Sequence, residues 1–141
     1  MSAVASFSSL TASPQFLRSV LWLDAATGAA TGALQLLLTA LLASLLGLPE
    51  TLLMASGWAI LGYVAGISFI ATRQFVPTSL VWVLIGANLL WVAGCLALLI
   101  GDFVTPTLAG KVFVAVQAVA VGLLAELQWV GLRKAAAQSG W

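Results

Sequence analysis

Two carboxylates lie inside long apolar runs of this chain, and any acid–base chemistry it performs has to start from them. Asp24 follows Arg18 by six residues, Glu126 precedes Arg133 by seven, and both are surrounded mostly by Ala, Leu, Val, Gly and Trp. An acid in such surroundings has two uses. It can pair with a cation and fix how helices meet, or it can take up and release a proton, as proton-coupled carriers require. Side chains that touch along one helix are three or four residues apart, so neither acid reaches the arginine of its own run. Arg18, Arg73 and Arg133 are expected at similar depth on neighbouring helices, and with Asp24 and Glu126 they form the candidate proton or ion-pair site.

A second candidate set is uncharged. Steps of seven and eleven residues return to nearly the same helix face, which puts Thr31 and Gln35 in one stripe with Asp24. Asn88 and Gln117 fall near the middle of later apolar runs. Polar atoms cannot face hydrocarbon cheaply, so Thr31, Gln35, Asn88 and Gln117 are expected to turn inward as a polar seam. Amides in this position hydrogen-bond between helices, each pair contributing about 0.6–2 kcal/mol; the alternative is that they line a ligand pocket. Tyr63 is expected to turn its hydroxyl to a partner or to the same stripe. Gly28 and Gly32, and likewise Gly62 and Gly66, have the spacing that lets two helix backbones approach, and all four are expected to seat neighbouring helices. On the second run, Ala55, Ala59, Gly62 and Gly66 read as one small face fit to receive the first helix.

Other chemistry is missing from the residue list. The chain has no histidine, which removes imidazole bases, haem ligation and His-based metal sites. Its one cysteine, Cys95, cannot form an intrachain disulfide and reads as a small apolar packing residue. Gly101-Asp102 echoes the Gly-Asp of intramembrane aspartyl proteases but lacks a second aspartate at matching depth. No nucleophile elbow or phosphate-cradling glycine loop occurs, and no cofactor is implied. The expectation is a protein without enzymatic chemistry.

The elements that must position these residues follow from composition. Of 141 residues, 62% are hydrophobic and 6% charged, against about a quarter charged in an ordinary soluble domain. Such a chain cannot hide its apolar surface from water and belongs in a bilayer. A net charge of +1 also excludes a nucleic-acid partner bound by phosphate neutralisation. Four apolar runs, at about 21–46, 51–72, 78–100 and 107–132, each exceed the ~20 residues a helix needs to cross. Gly47-Leu48-Pro49, Arg73-Gln74 and Gly101-Asp102 punctuate them. The predicted fold is all-α, an integral membrane antiparallel four-helix bundle formed by 18–134, because short loops make sequential helices antiparallel neighbours. Residues 1–17 are expected to form an N-terminal tail, interfacial from Pro14 with Ser13 as N-cap, and 135–141 a C-terminal tail. Arg18, Arg73, Arg133 and Lys134 fall on one side and Lys111 on the other, which places both termini in the cytoplasm. An offset of 60 aligns Ser19 with Ser79, Trp22 with Trp82 and Arg73 with Arg133, the trace of a duplicated hairpin.

Three segments carry a resemblance: Leu48-Pro49-Glu50; Leu80-Val81-Trp82 with Asn88-Leu89-Leu90-Trp91-Val92; and Ala125-Glu126-Leu127-Gln128-Trp129 with Gly131-Leu132-Arg133. Together they resemble a group of small four-span bacterial inner-membrane proteins, over most of the chain from Phe16 to Lys134. The resemblance implies a multi-pass protein of the bacterial inner (plasma) membrane and supplies no activity. In size and span number the chain is also similar to the small multidrug transporters. Those carry a membrane-embedded glutamate in the first helix where this chain has Asp24, shallower and without their surrounding pattern. The expected role is a small accessory or scaffold protein. One alternative is a dimeric proton-coupled small-molecule transporter using Asp24 or Glu126; a second is a lipid- or quinone-binding subunit. Its partners are then the lipid bilayer and either a second copy or a membrane complex.

Overall fold

The computed structural model describes residues 14–139, so the tail before Pro14, its Ser13 cap and residues 140–141 lie outside the described residues. Every element is helical: α1 Pro14–Leu37, α2 Thr39–Leu46, α3 Glu50–Ala71, α4 Thr78–Ile100 and α5 Leu108–Ser139. Four helical stretches, Gln15–Leu37, Glu50–Ala71, Thr78–Ile100 and Leu108–Ala135, are long and apolar enough to cross a membrane. The chain is a multi-pass membrane protein with the fold predicted above.

Two boundaries differ from the expected ones. The first run is not one helix to residue 46, because it breaks at Leu38. There the Thr39 hydroxyl donates to the carbonyls of Gln35 (2.6 Å) and Leu36 (3.0 Å), competing with the backbone ladder and bending the helix. The tails are also shorter than expected. Helix α1 already contains residues 14–17 with Leu17 in the core, and α5 continues through Ser139. Apolar patterning marks only the part of a helix that lipid or protein covers, so a polar extension beyond it is not visible as periodicity.

The turns use the expected chemistry. Gly47, at φ 68°, closes α2 in the left-handed conformation and bonds back to the Ala43 carbonyl at 3.0 Å. Pro49 and Pro77 immediately precede α3 and α4. Thr107 caps α5, its hydroxyl accepting from the Gly110 N–H at 3.1 Å. The same threonine reaches back to the end of α2, donating to Leu45 O from its side chain (2.7 Å) and to Leu46 O from its backbone (2.9 Å).

Helix α1 packs along α3 and α4 along α5, and the two pairs meet mainly through α1 and α5. Gly28 and Gly32 seat α3 as expected: a Cβ at either would lie 2.8 Å from Val64 and 2.9 Å from Leu61. On α3, however, the residue that admits α1 is Gly57, whose added Cβ would meet Leu36 at 3.0 Å. Gly62 and Gly66 face open space, and Ala55 and Ala59 are exposed as well. The small face of α3 therefore does not receive α1. Leu53, Gly57, Ile60 and Ile67 define the inward face, and 62 and 66 fall well round the helix from it.

Apolar clusters pack toward the two ends of the bundle. One joins Leu17, Leu21, Ile70, Ala71, Val81 and Leu132, beside the arginine-bearing turns. The other joins Leu46, Leu48, Leu53, Cys95 and Val114. The space between them holds the polar residues.

Candidate functional site

The buried stripe of α1 runs through Leu17, Leu21, Asp24, Ala25, Gly32 and Gln35, so helical periodicity alone turns Asp24 inward with its leucine neighbours. It is 4% exposed. Three side chains donate to one of its oxygens, Oδ2: the Tyr63 hydroxyl at 2.6 Å, Asn88 Nδ2 at 3.1 Å and Gln128 Nε2 at 2.6 Å. Asn88 Nδ2 also donates to Gln128 Oε1 at 3.1 Å, which ties the two amides together. Each of the four residues comes from a different long helix, α1, α3, α4 and α5. Their bonds converge on a carboxylate oxygen that only accepts, and all three donors are neutral. Asp24 Oδ1 and Asn88 Oδ1 accept no hydrogen bond among the described residues.

Among the described residues the expected ion network of Asp24, Glu126, Arg18, Arg73 and Arg133 is not assembled. Arg18 donates to the carbonyls of Ala71, Arg73 (2.8 Å) and Gln74 (3.3 Å), filling the orphan acceptors where α3 ends. A cation there also meets the negative end of the helix dipole. Arg73 lies over the Phe69 ring at 5.0 Å and Arg133 over the Trp129 ring at 4.9 Å. Glu126 is exposed, and two residues further on Gln128 is the side chain that enters the core. Carbonyls and rings close at hand satisfy the arginines at the interface, where no desolvation of charge is needed.

Of the seam residues Gln35 and Asn88 are buried, and Thr31 and Gln117 are half-buried. Gln35, 1% exposed, donates to Leu53 O (3.0 Å) and Ser56 Oγ (2.7 Å), and Ser56 in turn donates to Leu53 O (3.2 Å). Gln117 accepts from Trp91 Nε1 at 3.1 Å. Thr31 donates back to Thr27 O at 2.8 Å and stays on its own helix. Only Asn88 of the four seam residues reaches Asp24 directly.

Two cavities follow this arrangement. The first, about 520 Å³, has Asp24, Thr27, Thr31, Tyr63, Asn88, Trp91 and Gln117 as the polar part of a mostly apolar wall. The second, about 420 Å³, lies toward Gln35, Ser56 and Cys95. Ala87, Trp91 and Gln117 line both, so the Trp91–Gln117 hydrogen bond joins two residues of the shared wall.

Sequence reasoning named Asp24 and Asn88 and gave Tyr63 its direction, but it passed over Gln128, Trp91 and Ser56. A signal for Gln128 existed. It stands eleven residues after Gln117, the same step that joined Asp24 to Gln35. No family model, curated protein or solved structure matches the chain.

Proposed function

We propose that this protein is a carrier of small cationic or apolar molecules, with Asp24 as the group that exchanges a proton for the cargo. The observation that supports this most is the position of Asp24. It joins all four long helices at one oxygen and also lines a cavity of about 520 Å³. A carboxylate needed only to fix helix register requires no cavity beside it. A carrier needs both, because the same acid must be reached by cargo and must report its state to every helix. Glu126, exposed on the outer face of α5, has no part in this reading.

The test is flux in proteoliposomes with an interior-acid gradient and labelled tetraphenylphosphonium outside. Protons leaving through the carrier should drive accumulation of the cation. Asp24→Asn should abolish it and Glu126→Gln should leave it unchanged. Equal flux through the wild type and Asp24→Asn sinks the reading. We also place the protein in a bacterial inner membrane with both termini cytoplasmic, supported by Arg18, Arg73 and Arg133 lying at one end of the bundle. A C-terminal green fluorescent protein fusion should then fluoresce, and a C-terminal alkaline phosphatase fusion should be inactive.

One observation favours an accessory or scaffold role as the second reading. The face formed by Ala55, Ala59, Gly62 and Gly66 on α3 is exposed and small, the surface another membrane helix approaches closely. That helix would belong to a second copy or to another subunit. Gly62→Leu should abolish recovery of a stoichiometric partner from native membranes, and recovery of a lone monomer from the wild type counts against it.

A further inference from the structure

We infer that the two cavities form one divided site for an elongated amphiphile, with a cationic head at Asp24 and an alkyl chain that passes Trp91 into the second cavity. This rests on the reading of Asp24 given above and names the class of molecule it takes.

Three observations carry it. First, the cavities differ in what they offer. Asp24 Oδ1 and Asn88 Oδ1, which accept nothing among the described residues, belong to residues in the wall of the first cavity and suit a cationic or hydrogen-bond-donating head. In the second cavity the amide and hydroxyl of Gln35 and Ser56 already bond to each other and to Leu53 O. Its remaining wall, with Leu52, Leu90, Leu98 and Phe113, offers a chain hydrocarbon contact only. Second, the partition is slight. Both cavities touch Ala87, Trp91 and Gln117, and one hydrogen bond of 3.1 Å holds the indole to the amide. A net cost of about 0.5–1.5 kcal/mol is ordinary for breaking such a bond, a two- to twelvefold penalty on whatever opens it. Third, apolar clusters pack toward both ends of the bundle. Exposed Leu23, Thr27, Leu123 and Leu127 stand in the wall of the first cavity, so its approach is from the side, through lipid. A molecule that arrives that way already partitions into the bilayer, as a long-chain amine does and a small hydrophilic cation does not.

The test compares tetramethylammonium, butyltrimethylammonium and dodecyltrimethylammonium, titrated calorimetrically into the purified protein in one non-ionic detergent. The dodecyl compound should bind at least about tenfold tighter than the butyl one, since buried methylenes each add to affinity. Gly94 lines the second cavity and an added Cβ there meets nothing within 4 Å, so the side chain of Gly94→Leu starts into open space. This variant should lose the chain-length advantage and keep the affinity for the butyl compound; partition into detergent is the same for both proteins and cancels. Trp91→Phe, which removes the indole donor, should tighten dodecyl binding several-fold. Cys95 is the only cysteine and lines the second cavity, which makes it a position marker. The dodecyl compound should slow its labelling by N-ethylmaleimide, and tetramethylammonium should not.

Two failures are distinguishable. Binding of all three compounds with equal affinity, lost in Asp24→Asn, overturns the divided site and leaves the reading of Asp24 standing. Binding undiminished in Asp24→Asn, or co-purification of a neutral quinone or diacyl lipid in both proteins, overturns both.

Discussion

Asp24 Oδ2 accepts three hydrogen bonds from three helices, and this fixes what each substitution around it should do. Asparagine in its place keeps an oxygen for the three donors and swings its amino group toward the cavity. Asp24→Asn should therefore fold, with cation affinity lowered about five- to twelvefold, since hydrogen bonds to a charged group exceed neutral ones by about 1–1.5 kcal/mol. Isothermal titration of both proteins with dodecyltrimethylammonium measures this. Tyr63→Phe removes the 2.6 Å bond and little volume. It should destabilise the protein by about 0.6–1.7 kcal/mol, the range for polar pairs between membrane helices. The midpoint of unfolding in an SDS titration would report it. Glu126→Gln, at an exposed position, should stay within about ±0.5 kcal/mol in the same assay.

At the scale of elements, the close approaches lie where few side chains would fit. A Cβ on Gly110 would come 2.0 Å from Leu46 O, the carbonyl that also accepts from the Thr107 backbone at 2.9 Å. Gly110→Ala must push the start of α5 away from the end of α2 and break that join, at a cost of about 1–3 kcal/mol. Gly62→Ala meets nothing and should be neutral, or stabilising by up to about 1 kcal/mol through helix propensity. The difference between these two glycines in one unfolding assay separates packing from propensity. Equal effects would mean that α2 and α5 do not meet as described.

Across the whole molecule, two helix pairs close on each other at both ends and leave space between, bridged by the Asp24 cluster and by Trp91–Gln117. A ligand in that space touches both pairs and binds only when they are together. Its stabilisation then follows mass action, about 2.7 kcal/mol at a hundredfold excess over its dissociation constant. The thermal midpoint of the wild type should rise with dodecyltrimethylammonium concentration, while that of Asp24→Asn should rise only at correspondingly higher concentrations. A rise in both proteins alike would show detergent-like stabilisation with no site behind it.

Composition and apolar run length were enough to determine the four spans, though not the break at Leu38. The free energy of placing peptide groups in hydrocarbon leaves few other solutions for such a sequence. Helix periodicity was enough to turn Asp24 and Gln35 inward, because a polar stripe at steps of seven and eleven has only one face to hide on, and Asn88 followed from the cost of an amide facing hydrocarbon in mid-run. Which inward groups meet was decided by tertiary structure. Gln128 rather than Glu126 enters the core, Gly57 rather than Gly62 admits α1, and Arg18 ends α3 instead of pairing with an acid. Each of these outcomes depends on how one helix is rotated against another. Glu126 and Gln128 lie about 160° apart round α5 and Gly57 and Gly62 about 140° apart round α3, and a sequence read one helix at a time carries no term for which of these faces turns inward.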